Sequence, residues 1–571
     1  MINNTPTITR DGAIGQDGNQ VVTVDQATGA EFARRDTNGQ IVLTPWGAIT
    51  KRRLLHPASE SSPRSKILER SRAMARSSQP ERTIRTRWSS EDAADQFTVD
   101  NPATGAPLAV VQGAGDKEVD QAVQTAYDAH FSWKTRTARE RGSWLRKVAQ
   151  AVREHADEIA VLECSDNGKP LSQARNWDVN AAIGIFEYFA SLCDSMPGQV
   201  NDGGSLLDIT VLEPYGVIGA IVPFNWPPIH TASKLAPALA VGNAVVIKPP
   251  EQAPLSALRM VEIIQSVLPD DVVHIIPGTG PIGSQLAGHP LVGKVSFTGS
   301  PTTGVSVIKT AADNLTPTLM ELGGKDPFII FEDADLDLAL PWAIEGGLFN
   351  QGEACTSASR VLVHADIYDE VARRYGNAVK RLRVGNGADP GTHIGPMVSA
   401  AQRKRVLDYI DIGVQEGATI AAQAPLPDDP ELAGGFYVAP TLFTGVRPDM
   451  RIAQEEIFGP VISMIPFRDE DEAVRIANGT DFGLVAAVFT PNSERALRVS
   501  RALHTGFVFV NNYNRNFTGA PFGGVGASGF GRETAAETLR EYGYSKNIRL
   551  VSGRGEIPRW APSLEVTGPE E

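Results

Sequence analysis

Gly216-Val217-Ile218-Gly219-Ala220-Ile221-Val222-Pro223-Phe224-Asn225-Trp226-Pro227-Pro228 decides the fold. Seven apolar or glycyl residues in a row, stopped by a proline, read as a strand buried on both faces. The chain then repeats the pattern. A helical run over residues 230–241 leads to Ala244-Val245-Val246-Ile247-Lys248. A second, over residues 256–268, leads to Val272-Val273-His274-Ile275-Ile276. This βαβαβ order predicts an α/β protein with a parallel, doubly wound sheet. In such open sheets ligands sit beyond the carboxyl ends of the strands, so the segment after each strand is where chemistry is sought.

The first strand ends in Phe224-Asn225-Trp226 between prolines. They fix the backbone around one amide, which can donate its NH2 to an oxyanion; an Asx turn explains the same residues. The second ends in Lys248-Pro249-Pro250-Glu251. Both charged groups can hydrogen-bond a ribose, and a carboxylate there repels a 2′-phosphate, which favours NAD over NADP. The third leads to Pro277-Gly278-Thr279-Gly280-Pro281-Ile282-Gly283, a literal GxGxxG that is weak on its own. Val295-Ser296-Phe297-Thr298-Gly299-Ser300 again feeds a turn of small residues, against which a cofactor can lie close to the backbone.

Nucleophilic chemistry is carried by Asn350-Gln351-Gly352-Glu353-Ala354-Cys355-Thr356-Ser357. Glu321 lies thirty-four positions upstream, in Met320-Glu321-Leu322-Gly323-Gly324-Lys325. A thiol that becomes a thiolate is a strong nucleophile, and a nearby carboxylate can serve as a base. Cys164 and Cys193 read as inert helix-face residues. Beyond Cys355, Glu456 and Phe458 place an acid and an aromatic ring in one turn, and residues 521–533 form a long glycine-rich loop.

The 571 residues exceed one ordinary core, so two or more domains are expected. The hydrophobic share of 42% and the charged share of 21% fit a soluble globular protein. A net charge of −14 argues against broad nucleic-acid binding. Three sparse cysteines make no disulfide framework, and no CxxC or His-rich spacing offers a metal site. A reducing, cytoplasmic setting follows as the expectation. No apolar run is long enough to cross a bilayer. Residues 1–95 stand apart. Short β-like pieces at 20–24 and 40–43 lie between turns, and residues 51–90 carry eleven Lys and Arg against three Glu, a net +8. That composition predicts a largely disordered extension. A targeting or partner-binding arm is one reading of it; a dispensable extension is the simpler one. From Phe97 helices and strands alternate. Residues 116–135 and 137–166 read as amphipathic helices, and residues 328–331 open a second α/β set.

Taken in order, these segments resemble the aldehyde dehydrogenase superfamily, from about residue 97 to about residue 550. The resemblance implies an NAD(P)-dependent enzyme of the non-acylating, hydrolytic type, which oxidises an aldehyde to a carboxylic acid through a cysteine thiohemiacetal and thioester. It implies Cys355 as nucleophile, Glu321 as general base, and Asn225 with the Cys355 N–H as oxyanion hole. Lys234 and Glu533 match a proton relay. The implied cofactor contacts are Val222, Pro223, Phe224, Lys248, Glu251, Gly283, Thr298, Gly299, Ser300, Leu322, Glu456 and Phe458, for NAD, with NADP as the alternative. Trp226, His230 and Phe522 fall at the substrate pocket, and no metal is implied.

The implied domains are a mainly NAD-binding part over 96–320, with oligomerisation strands near 198–214, and a catalytic part over 321–510. Residues 511–551 return to the NAD-binding part and add the last strand of a small β oligomerisation arm; 552–571 are a tail. A homodimer or homotetramer follows, with a small aldehyde as partner and neither nucleic acid nor membrane. The chain departs from the family pattern at Phe224 and Trp226, where the aromatics are exchanged. It also departs at Gly526, where many members have Lys, and in the Gly278–Gly283 turn, which is one residue short. Acylating relatives that pass the acyl group to CoA lack a carboxylate at the position of Glu321, and non-catalytic members lose the nucleophile or the base; both groups are present here. Arg515 could pair with a substrate carboxylate, but a solvated loop charge is the simpler reading. The aldehyde is left open.

Overall fold

The computed structural model describes residues 83–557 apart from 197 and 514–516, a few positions as far as 567, and, upstream, only five short strands between Gln16 and Leu43. The chain divides into two units, residues 1–66 and 67–571. In the first, Gln16–Asp17 pairs antiparallel with Gln20–Val21. Thr23–Val24, Glu31–Arg35 and Ile41–Leu43 form a second antiparallel sheet. The disorder expected from composition over residues 51–82 lies outside the described residues.

In the second unit the opening stretch forms the strand Val217–Ile221, buried at all five positions. It lies inside a six-stranded sheet ordered Val273–Ile275, Ala244–Lys248, Val217–Ile221, Val292–Thr298, Thr318–Glu321, Gly529–Phe530. The first five strands run parallel and the last is antiparallel. Strand order reverses at Val217–Ile221, so the crevice between its end and that of Val292–Thr298 is the topological switch point. The helix Pro227–Val241 starts there. Two prolines pre-set its first turn, and Gly242, at φ 113°, stops it in the left-handed conformation that a side chain disfavours.

A seven-stranded second sheet follows, ordered Thr419–Gln423, Thr441–Thr444, Val461–Phe467, Arg360–His364, Pro327–Ile330, Val485–Phe489, Phe507–Val510. Only Thr419–Gln423 runs antiparallel. Its two faces bury separate cores, around Ile329, Leu362 and Val461 on one side and around Phe328, Val361 and Ile462 on the other. This separation follows from the two-residue alternation of strand side chains. Leu206–Pro214 pairs antiparallel with Gln199–Asp202 and Gly543–Val551, making a three-stranded arm.

Two expectations need correction. The helix read over 137–166 is two helices, Ala138–Glu154 and Ala156–Asn167, broken at His155 with φ −104° and ψ 13°. A one-residue break leaves the apolar spacing nearly in phase, so periodicity does not report it. The folded part also starts upstream of residue 96. Thr83–Ile84 pairs with Pro107–Gln112, and the buried Trp88 donates its indole N–H to His274 Nδ1 at 3.1 Å. Composition hides this because Ile84 and Trp88 are diluted among arginines. Arg87 in fact lies over the Trp88 ring, 4.7 Å from its centre. Trp88→Ala is expected to destabilise the protein by about 3 kcal/mol through the cavity it leaves, read as a fall in the urea midpoint. An unchanged midpoint would show that this segment does not contribute to the fold.

Candidate active site

Beyond Ile221 the backbone is held from behind at successive carbonyls. Asn167 Nδ2 donates to the Phe224 carbonyl at 2.8 Å, and Lys169 Nζ to the Asn225 carbonyl at 2.6 Å. Lys169 is fully buried and is charge-paired with Glu163, at 2.8 Å, and with Asp178. Asn350 Nδ2 donates to the Asn225 carbonyl from the opposite segment, at 3.2 Å. With its main chain fixed on both sides, the Asn225 amide is 2% exposed.

The helix Leu336–Leu348 leads to Cys355 through a strained turn. Asn350, Gln351 and Gly352 take φ values of 53°, 58° and 71°. Left-handed residues that carry side chains cost energy and persist only where the surroundings hold them. Here Asn350 Nδ2 also grips the Glu353 carbonyl, at 3.0 Å. The Gly323-Gly324 pair lets three segments close on one point. A Cβ at Gly324 would stand 2.2 Å from the Cys355 carbonyl oxygen, and one at Gly323 would stand 2.2 Å from the Glu456 carboxylate.

Glu321 ends the strand Thr318–Glu321 and is 1% exposed. The Cys355 thiol lies within hydrogen-bonding reach of this carboxyl, and no other protein group bonds either oxygen. Burial, and after it the charge of Glu533, push this carboxyl up to about 8. Burial, and after it Glu321, push the Cys355 thiol well above its ordinary value. The arrangement is a neutral thiol beside a carboxyl that titrates near neutral pH, and such a carboxyl can act as a base.

Two cavities converge on Cys355. One, of about 610 Å³, is lined by Pro223, Phe224, Asn225, Thr298, Gly299, Ser300, Glu321, Gly323, Glu456 and Phe458, among others. Ser300 Oγ caps the helix Pro301–Ala312, accepting from Thr303 N at 3.2 Å, so a helix N-terminus opens on this space. Such an end attracts phosphate. The Phe224 and Phe458 rings meet edge to face, 5.6 Å apart. Glu456 accepts from Gly324 N at 3.0 Å, and burial pushes its carboxyl up to about 7. A helix end for a diphosphate, a carboxylate for ribose hydroxyls and glycines for close approach fit a dinucleotide. Val222, Lys248, Glu251, Gly283 and Leu322 lie outside this lining. Lys248 Nζ bonds Glu251 at 2.8 Å, and a Cβ at Gly283 would come 3.8 Å from the Lys248 stem, so these three form an adjacent group.

The other cavity, of about 300 Å³, is lined by Trp226, His230 and Phe522, with Ser233, Thr356 and Glu533. Lys234 lies buried between the two cavities. Its Nζ donates to Thr298 Oγ1 at 2.7 Å and is ion-paired with Glu533. Several lining residues escaped the sequence reading. Trp177 and Asp178 reach the wall from a π-helical turn, Ala174–Val179, whose wider winding no apolar period announces. Gln402, Arg405 and Tyr409 reach the larger cavity from the helix Ala400–Gln415, which carried no motif. Arg515 lies outside the described residues.

Residues 88–548 match the Aldehyde dehydrogenase family. The chain is 50% identical over 480 residues to an aldehyde dehydrogenase of Didymella fabae, covering 84% of this chain and 97% of the relative. It is equally similar, over 481 residues, to aldehyde dehydrogenase citD of Monascus ruber, covering 84% of this chain and 96% of that one. Among solved structures, PnpE from Pseudomonas sp. WBC-3 matches with a TM-score of 0.80 at 39% identity, over 82% of this chain and 96% of that chain. PnpE is also known in complex with nicotinamide adenine dinucleotide. The chain belongs to the aldehyde dehydrogenase family. It is an oxidoreductase that acts on aldehydes and uses NAD(P).

Proposed function

We propose that the protein oxidises its aldehyde to the carboxylic acid through a covalent thioester on Cys355, with NAD as cofactor. The observation that carries this reading is the meeting of two cavities at one buried thiol, with the buried Glu321 carboxyl beside it. Glu321 takes the thiol proton as Sγ bonds to the aldehyde carbon. The resulting oxyanion is held by the Asn225 amide and the Cys355 N–H, a kind of stabilisation that contributes roughly 3–4 kcal/mol per donor. NAD, when bound, supplies the acceptor for the hydride that leaves the thiohemiacetal carbon. A thioester then remains on Cys355. Glu321, once free of its first proton, takes another from water, whose oxygen attacks the thioester and releases the acid. The hydrogen bond of Lys234 to Thr298 and its ion pair with Glu533 support a part for it in carrying the first proton away.

Glu251, held by Lys248, favours NAD over NADP by repelling a 2′-phosphate. The presence of Glu321 favours hydrolysis over transfer to CoA. The arm leaves Tyr544, Ile548, Leu550 and Val551 exposed on its edge strand, which supports pairing with a second copy. The three cysteines are free and buried, in keeping with a reducing cytoplasm. Purified protein given NAD and a panel of aldehydes is expected to form NADH and acid in equal amounts, with added CoA left unconsumed. Acyl-CoA formation would replace hydrolysis by the acylating route, and absence of NADH with every aldehyde would end the enzymatic reading.

A further inference from the structure

The smaller cavity carries information about what fills it. Trp177, Ile185, Trp226, Ile229, Phe349 and Phe522 make its wall mostly apolar. Trp177 and Phe349 meet edge to face, 5.9 Å apart. The carboxylates on this wall are already engaged: Asp178 with Lys169, Glu533 with Lys234, and Glu345 is not free either. No Lys or Arg is among the described residues that line it. One polar side chain stands apart. His230 is 6% exposed, and neither ring nitrogen has a partner in the protein. Burial, and after it the charges of Lys234 and Lys169, hold the imidazole neutral by lowering it well below its usual value. A neutral imidazole presents one N–H and one lone pair, and leaving both unmatched among apolar neighbours is unfavourable.

We propose that His230 selects the substrate, and that the protein prefers uncharged aromatic aldehydes bearing a hydroxyl group that hydrogen-bonds to His230. This rests on Cys355 being the nucleophile, since the same cavity ends at that thiol. The ring-lined wall suits a flat aromatic body, which gains from edge-to-face and offset contacts that an alkyl chain lacks. A volume of about 300 Å³ is at the low end of ligand pockets, enough for a one- or two-ring molecule. An aldehyde carrying a carboxylate would meet acidic groups without a described cation. One carrying an ammonium group would find those acids already paired. A hydroxyl both donates and accepts, so it satisfies either tautomer of the imidazole.

The test compares kcat/KM for the three hydroxybenzaldehydes with benzaldehyde, the methoxybenzaldehydes, succinic semialdehyde and betaine aldehyde. At least one hydroxy isomer is expected to exceed benzaldehyde and its own methoxy analogue by about tenfold or more, because a site built around a hydroxyl rejects analogues that lack it. His230→Leu should bring the hydroxy-to-benzaldehyde ratio close to one. His230→Gln, which has its own donor and acceptor, should keep part of the preference. A ratio measured within one variant does not depend on how much of that variant is folded. Equal rates for hydroxy and unsubstituted aldehydes, an unchanged ratio in His230→Leu, or a preference for either charged aldehyde would overturn the proposal. If no aldehyde yields NADH, the reading of Cys355 falls as well; oxidation without the hydroxyl preference overturns His230 alone.

Discussion

Cys355→Ala is expected to lower NAD-dependent aldehyde oxidation by roughly 10⁴-fold or more, the scale seen when a covalent nucleophile is removed, while NAD binds as in the parent. The change deletes one sulfur atom. The shape of the surrounding turn does not depend on that atom. It is held by the Asn350 side chain and by the close approach of Gly324 to the Cys355 carbonyl oxygen, neither of which involves Sγ. The larger cavity draws most of its wall from other segments, notably Phe224, Ser300, Glu456 and Phe458. NADH absorbance measures the first quantity and calorimetric titration with NAD the second. Residual oxidation above about one per cent would show that another group attacks the aldehyde. Loss of NAD affinity would show that the thiol helps to shape the cofactor site. Neither remaining cysteine offers a substitute, because Cys164 and Cys193 are buried and line neither cavity.

The central sheet was legible because its strands are buried on both faces. Such strands are unbroken apolar runs, and their ends are marked by proline or glycine, as at Pro223 and Gly299. The residues at those ends could therefore be picked out before any contact was known. What lay behind them could not. Asn167 and Lys169 look like ordinary polar residues after a helix, yet they hold the carbonyls of Phe224 and Asn225, more than fifty positions away in sequence. Only the fold brings them together, and no local pattern encodes that pairing. Trp177 lines the smaller cavity from a π-helical turn, which shifts the face that ordinary helical spacing would assign. Trp88 was hidden by its charged neighbours. His230 was named for its position, but only the fold shows that neither of its ring nitrogens has a partner in the protein.

Glu321→Gln should reveal the base. The Glu321 carboxyl is pushed up to about 8, chiefly by burial. A base works when deprotonated, so kcat in the parent should rise with pH, about tenfold per unit well below 8, and level off above it. Glu321→Gln should lower kcat by roughly 10²- to 10⁴-fold and remove that limb. The acyl group should then remain on Cys355, visible as added mass on the intact protein after exposure to NAD and aldehyde. The rate of the first NADH formed separates the two roles of Glu321: it falls if Glu321 also takes the thiol proton, and it is retained if Glu321 acts only on water. A limb that persists near pH 8 in Glu321→Gln would assign the titration to another group. The same shift bears on stability with a definite sign. A carboxyl whose folded value lies above its unfolded value of about 4.3 contributes stability that is fully present below that pH and lost as the pH rises through about 8. Glutamine does not titrate, so the variant should gain stability relative to the parent between about pH 5 and pH 8. Greater stability with lost turnover would identify the buried charge of Glu321 as something the fold tolerates only because the hydrolytic step requires it.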